Sequence, residues 1–312
     1  MSGATSGAYA RAAPGKADAA HRALADGLGP GPLLRSATAT VAGHFGEFLQ
    51  GRQGASGPVV LVTLPCPALA ARATWRFERA FAYAPGPGSP LSRRRAAMLM
   101  RALTGSLGGR LRLSWTMKPG GGMGSSTAAL VATAHAVAAA LGRPPPPAAD
   151  LGLLCAGIEG ATDPLMLDRP AAAIWASREG RIVGSTIAPP AFDVAGTLLG
   201  VPERTDSTDS NFANVADLVT AWTSAAVRGD RRTLAEIATE SARRNAAHRG
   251  GAPLGPILDA ATRTGALGVA IGHTGPARAL LYAPGDGDPS AGARALRALG
   301  GVSVICFRTP RP

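Results

Sequence analysis

The segment Lys118-Pro119-Gly120-Gly121-Gly122-Met123-Gly124-Ser125-Ser126-Thr127 places four glycines between an alternating apolar run and a nearly uncharged helical one. Upstream, Leu111, Leu113 and Trp115 alternate across 110–116 and predict a strand; downstream, Ala128–Leu141 predicts a buried helix. Gly120, Gly121, Gly122 and Gly124 lack a Cβ, so the backbone between these elements is free to take positive φ and to approach a ligand closely. Ser125, Ser126 and Thr127 then open a helix whose first amides have no intrahelical acceptor. Amides, helix dipole and hydroxyls together suit a phosphate group. No Gly-Lys-Ser/Thr follows the glycines, since Lys118 precedes them, so this is not a Walker A loop. Nor does it fit the dinucleotide fingerprint with its acidic residue about 20 positions on. The plainer reading is a strand–helix connection capped by serine, with His135 a core histidine.

Working outward, residues 1–35 are rich in Ala, Gly, Ser and Pro and read as a flexible leader ending at Gly29-Pro30-Gly31-Pro32. Strands are expected at 37–43, 58–64 and 69–77, then a helix at 91–107. After Pro144–Pro147 come a helix at 148–159 and strands at 172–177, 181–187 and 194–199. Helices at 211–228, 231–247 and 254–264 precede strands at 267–272 and 277–283, a helix at 289–299 and a strand at 302–308. Strands come first and helices late, which predicts α+β rather than a doubly wound parallel sheet.

The 312 residues suffice for two modest domains with no disulfide or metal to hold a core. Cys66, Cys155 and Cys306 are isolated, which suits reduced thiols in a cytoplasmic protein. No apolar run approaches the roughly 20 residues of a membrane span, and no signal-peptide core is evident. The net charge of +12 invites a nucleic-acid reading. Lysine occurs only at Lys16 and Lys118, however, and the abundance of Arg, Ala, Gly and Pro follows a GC-rich codon bias. The cluster Arg93-Arg94-Arg95 with Arg101 reads as a solvated helix face, and steering of anionic substrates is the milder role for the charge. Nucleic acid and membrane are therefore not expected partners.

The run Pro119–Ala128 resembles motif 2 of the GHMP kinases, the superfamily of galactokinase, homoserine kinase and mevalonate kinase. Gly43-His-Phe-Gly-Glu-Phe-Leu-Gln-Gly51 resembles motif 1 in a first strand–turn, and Gly268-Val-Ala-Ile-Gly-His-Thr-Gly275 resembles the glycine-rich motif 3. Within the superfamily the wording is most similar to the PduX-type L-threonine kinases of cobalamin assembly. The likeness lies in Gly46-Glu47 with Gln50-Gly51, Gly122-Met123 with Ser125–Ala128, Glu159 with Thr162-Asp163, Ser241 with Asn245, and His273-Thr274-Gly275. His44-Phe45 stands where that subgroup has a Ser-Cys type pair, Gly121 where it is often basic, and one extra residue lies between Glu159 and Asp163.

The resemblance implies a GHMP kinase fold: an N-terminal ATP-binding domain over 36–190, of ribosomal-protein-S5-like character, and a ferredoxin-like C-terminal domain over 191–312. It implies ATP and Mg2+, with Gly120, Gly121, Gly122, Met123, Gly124, Ser125, Ser126 and Thr127 around the nucleotide phosphates. Ser126 and Glu159 are the implied metal ligands, Asp163 the implied general base, and Glu47 a substrate contact or brace. His44, Gln50, His273 and Thr274 are implied near a small-molecule substrate, and a homodimer is compatible with the family. For Glu159 a solvated helix-end carboxylate is an equal reading, and Asp163 in Ala161-Thr162-Asp163-Pro164 also reads as a turn cap. Thr205-Asp206-Ser207 and Asn211 are either a site for an amino acid's charged ends or a surface loop. The implied reaction is phosphorylation of L-threonine to O-phospho-L-threonine. A kinase for another alcohol, such as homoserine or a sugar acid, and a non-catalytic binding protein of the same fold remain open.

Overall fold

The computed structural model describes residues 36–105, 108–203, 205–209, 211–249, 253–273 and 275–311. The expected leader at 1–35 and the candidate residue Thr274 lie outside the described residues. In chain order the elements are β1 (Ser36–Arg52), β2 (Val59–Arg76), α1 (Arg93–Thr104), β3 (Arg110–Trp115), α2 (Ser125–Ala140) and α3 (Ala148–Glu159). Then come β4 (Ala173–Ala176), β5 (Arg181–Ser185), β6 (Asp193–Leu198), α4 (Ala216–Val227), α5 (Arg231–Arg249) and α6 (Gly255–Arg263). The described chain ends with β7 (Gly268–Ile271), β8 (Ala277–Tyr282), α7 (Pro289–Ala298) and β9 (Val302–Arg308). The class is α+β: the named strands form one sheet, ordered β5-β4-β2-β1-β7-β8-β6-β9 with β3 also on β2, and all their pairings are antiparallel. Among the described residues no helix is long and apolar enough to cross a membrane.

Three expectations are corrected here. The first strand does not stop at 43 and turn; it continues to Arg52, so His44, Glu47 and Gln50 lie within a strand. Irregularities in register between Ala42 and Gly43, His44 and Glu47, and Glu47 and Leu49 absorb the glycines that read as a turn. Likewise 58–64 and 69–77 are one strand, because the ladder skips the residues around Pro67 instead of breaking there. α4 begins at Ala216 rather than 211.

α2 packs against both β1 and β2, and only Ser126, His135 and Ala139 along it escape full burial. Its alanines favour helix and let it lie close to the sheet. Phe48 of β1 packs between Phe192 and Trp222, with centroid separations of 5.5 and 5.1 Å. A second cluster, including Ile257, Val269, Leu280 and Leu296, joins α6 and α7 to β7 and β8.

Three glycine-bearing segments from distant parts of the chain meet at the N-terminus of α2. The Gly46 amide donates to the Gly122 carbonyl at 3.0 Å, and the His44 amide to the Met123 carbonyl at 3.2 Å. A Cβ at Gly46, whose φ is +76°, would lie 2.7 Å from the Ile271 carbonyl carbon, and one at Gly275 would lie 2.5 Å from the Gly122 nitrogen. Substituting Gly46→Ala is expected to cost about 2 kcal/mol, from left-handed strain and backbone overlap together. Gly157→Ala, on an open helical face with nothing within 4 Å, should instead stabilise, by up to about 1 kcal/mol. Thermal denaturation of the two variants checks the opposite signs.

Candidate active site

The glycine segment is held by its carbonyls. Besides the two bonds from β1, the Glu203 amide donates to the Gly120 carbonyl at 2.9 Å. Gly120, Gly122 and Gly124 have φ of +76°, +75° and +68°, so the loop coils in a conformation that side chains resist. Gly124 is the N-cap of α2 and supplies no side-chain cap, leaving the first-turn amides without an acceptor inside the helix. These amides border a cleft of about 200 Å³, also lined by Ser126, Glu159, Asp163, His44, Arg178 and His273.

Glu159 is the last residue of α3, and Gly160, with φ of +79°, terminates the helix. A carboxylate at a helix C-terminus is opposed by the dipole, yet this one is buried rather than solvated, its side chain only 6% exposed. The Ser126 hydroxyl donates to one of its oxygens, the Thr127 hydroxyl to the other at 3.3 Å, and Arg95 Nη1 approaches to 3.4 Å. Burial pushes the acid up to about 7, against the pull of Ser126 and Arg95. Hydroxyl and carboxylate oxygens side by side are a hard donor set that fits Mg2+.

On the other wall, His44 lies between two acids. Its Nε2 is 3.4 Å from an Asp163 carboxylate oxygen, and its Nδ1 is 3.3 Å from Glu47 Oε1 and within 3.2 Å of the Gly46 carbonyl. Burial alone would lower the imidazole, but Glu47 and Asp163 outweigh it and hold its pKa near 9. Burial pushes Glu47 up to about 8. It acts in the same sense on Asp163, where the neighbouring imidazolium wins and holds the carboxyl below its ordinary value. The arrangement is an imidazolium paired with the Asp163 carboxylate, beside a Glu47 that binds its proton more tightly than an ordinary carboxyl. Among the described residues these three are the one group of three or more metal-capable side chains, but an imidazolium already balances the charge there.

The floor of the cleft joins β1 to the segment after β7. Gln50 Nε2 donates to the Ile271 carbonyl at 3.2 Å, and Gln50 Oε1 lies 3.1 Å from His273 Nδ1. Phe212 stacks on the His273 ring, with centroids 4.5 Å apart and planes 14° from parallel.

The sequence-based candidates thus converge. Gly120, Gly122, Met123, Gly124, Ser125, Ser126, Thr127, Glu159, Asp163, His44, Glu47 and His273 line one cleft, with Gln50 directly behind His273. Gly121 is buried behind the loop rather than at the cleft. His44, His273 and Thr205 share the cleft with Asp163, whereas Asp206 is exposed and Asn211 engages His248 at 2.7 Å. Asp163 faces His44 instead of capping its own turn. Two residues were missed. Arg95 is not on a solvated face but reaches Glu159, and Arg178, in a short turn between β4 and β5, faces the cleft. The triple-arginine run offered a weak signal for the first; nothing local marks the second.

Residues 92–174 match the family model for the GHMP kinases N terminal domain. No curated protein matches the chain in sequence. Among solved structures, L. major mevalonate kinase in complex with R-mevalonate is 13% identical with a TM-score of 0.64, covering 91% of this chain and 99% of that one. Homoserine kinase from Cytophaga hutchinsonii is 15% identical with a TM-score of 0.61, covering 91% and 97%. The structure of MDDEF in complex with MVAPP, AMPPCP and magnesium is 15% identical with a TM-score of 0.58, covering 88% and 98%. The chain therefore has the GHMP kinase fold, and the glycine loop, Ser126, Glu159 and Asp163 all lie in the segment that matches the GHMP kinases N terminal domain model.

The buried Glu47 sets a pH dependence. Its proton is bound more tightly folded than unfolded between its ordinary value of 4.5 and about 8, so stability falls as pH rises through that window. Glu159, from 4.5 to about 7, and His44, from 6.5 to about 9, act in the same direction. Thermal denaturation should show Glu47→Gln matching the parent at pH 5 and exceeding it at pH 8 to 9. An equal offset at both pH values would contradict a buried neutral acid.

Proposed function

We propose that the chain is an ATP-dependent small-molecule kinase that phosphorylates a hydroxyl group, with L-threonine as the acceptor and O-phospho-L-threonine as the product. That product would serve the aminopropanol linker of the cobalamin nucleotide loop. The supporting observation is the convergence, in one cleft, of a glycine loop at a helix N-terminus, a hydroxyl–carboxylate pair and a second carboxylate. Cytoplasmic location, a homodimer and division into domains at 36–190 and 191–312 belong to the same reading.

Residues 120–127 hold the triphosphate through amides and hydroxyls. Ser126 and Glu159 would hold Mg2+, which would supply neutralisation of charge on the phosphate oxygens. Glu159, poised near 7 by burial, is readily ionised beside a cation. Arg95 supplies further positive charge at the same place. The acceptor hydroxyl oxygen bonds to the γ-phosphorus as the bond to the bridging oxygen breaks, and ADP leaves. Asp163 takes the hydroxyl proton. A carboxylate paired with His44 is a weak base, which suits a loose transition state in which positioning and charge matter most. Glu47 braces His44 from behind, so its neutral state preserves a single ion pair at the reacting centre.

The test is ATP consumption with Mg2+ across L-threonine, L-serine, L-homoserine, ethanolamine and mevalonate. Turnover should be highest with L-threonine and should drop by about 100-fold or more in Ser126→Ala. Turnover highest with another alcohol would replace the acceptor. ATP turnover unaffected by Ser126→Ala would remove the loop from the mechanism.

A further inference from the structure

Away from the cleft, β1, β2 and β3 turn one face to α2 and the core and leave the other open to solvent. The register of the three strands sorts the side chains of the open face into rows. Arg72 lies between Thr40 and Ser114, Arg112 faces Thr74 with Thr38 beyond, and Arg76 faces Arg110 with Ser36 beyond. Thr74 is half-buried and the others are exposed. The residues that alternate with them, Ala71, Ala73, Trp75 and Leu111 among them, lie in the core. None of the nine positions in the rows is apolar and none is acidic. A codon bias raises the number of arginines in a chain, but it does not gather them on one face with hydroxyls between them.

Most of the charge on this face is uncompensated. Glu78 Oε1 is shared by Arg76 Nη2, at 2.9 Å, and Arg110 Nε, at 2.8 Å. Arg72 and Arg112 have no ion pair among the described residues. Four guanidinium groups therefore stand against one carboxylate. Successive rows are two residues apart, about 6.6 Å, and each holds at least one guanidinium beside a hydroxyl. A hollow of about 250 Å³ lies among Ser36, Thr74, Arg76, Arg110 and Arg112. A second, of about 640 Å³, carries the basic surface over the edge of β3 toward Phe81 and Arg93. Phe77 follows Arg76 in sequence and is 63% exposed, an aromatic surface of the kind on which a base stacks.

We propose that the open face of β1, β2 and β3 is a docking surface for single-stranded nucleic acid, bound through its phosphates and without base specificity. Guanidinium forks match phosphate oxygens, and the hydroxyls between them donate further hydrogen bonds. The row spacing brings one guanidinium to each successive phosphate of an extended strand. A single nucleotide meets only one row, so the surface selects a polymer and is separate from the nucleotide site at α2. The face lacks the apolar side chains that a membrane-binding surface inserts among its cations. The segment 1–35, which joins β1 at Ser36, carries Arg11, Lys16, Arg22 and Arg35 against Asp18 and Asp26, so its charge does not complement the face. The expectation from composition, that nucleic acid is not a partner, is thereby replaced, and the proposal is independent of the kinase reading.

The experiment is fluorescence anisotropy of a labelled oligouridine binding to the full chain, between about 50 and 200 mM salt. Affinity should fall with salt, with a log–log slope of about −2, from roughly 0.7 for each of three net charges. The double variant Arg72→Gln/Arg112→Gln removes the two arginines that leave no acid unpaired. It should bind about 10-fold or more weakly at the lower salt, with the slope reduced by about 1.4. The exposed pair Arg263 and Arg297 supplies the control, because Arg263→Gln/Arg297→Gln makes the same change in net charge elsewhere. That variant should bind like the parent, and the thermal midpoints of both should be unchanged. Absence of binding at the lower salt would overturn the proposal, as would equal losses in the two double variants, which would mean that diffuse net charge does the binding. Phosphatidylserine vesicles captured through Arg72 and Arg112, with oligouridine binding indifferent to them, would also overturn it by assigning the face to a membrane.

Discussion

Backbone-to-backbone contact among three glycine-bearing parts of the chain, at 43–46, at 120–124 and at Gly272 with Gly275, is the constraint on which the rest of the molecule depends. Each comes from a different part of the chain, and each approaches another so closely that a methyl group has no room. The contact fixes the N-terminus of α2 against β1 and the end of β7. It thereby decides where Ser126, Asp163 and His273 lie relative to one another. It also explains the bulges in β1: a regular strand would carry His44, Glu47 and Gln50 to alternate faces, whereas the shifted register turns all three toward the same side of the sheet. An alanine-rich, apolar helix packed on β1 and β2 then anchors the loop.

Within that frame, buried charge is distributed so that opposing groups balance. Asp163 has His44, Glu159 has Arg95 and two hydroxyls, Asp209 has Arg249, and Glu47 avoids charge by holding its proton. Arg178 stands outside this balance, fixed only by carbonyl oxygens and an aromatic ring. Buried ions cost several kcal/mol unless paired, which is why each of the others has a partner. The two halves of the cleft differ accordingly, with hydroxyls and amides at the α2 end and a guanidinium with a fixed imidazole at the β7 end.

Much of this was legible in the sequence, and the reasons for the rest are physical. Helix and strand positions followed from periodicity, and α3 and β9 match their expected spans at 148–159 and 302–308. The glycine loop was readable because four glycines before a Ser-Ser-Thr helix start have few other uses. What failed was continuity. Glycines within β1 and Pro67 within β2 read as breaks, because a bulge leaves no mark in single-sequence propensity. Arg95 and Arg178 were hard to read for a different reason: any one arginine in a chain rich in them carries little information until the fold sets it against Glu159 or Phe212. The identity of the candidate base Asp163 was visible, but its charge state was not, since this arises from burial and from His44, which lies far away in sequence.

The central claim is that the amides at the start of α2 and the Ser126–Glu159 pair form a nucleotide phosphate and metal site. A crystal structure of the chain with AMPPCP and Mg2+ tests it most directly. Phosphate oxygens within hydrogen-bonding distance of the amides at 122–127, with the metal bridging them to Ser126 and Glu159, is the result expected. Nucleotide density elsewhere, for instance against the arginine-lined face of β2 and β3 at Arg76, Arg110 and Arg112, would contradict it.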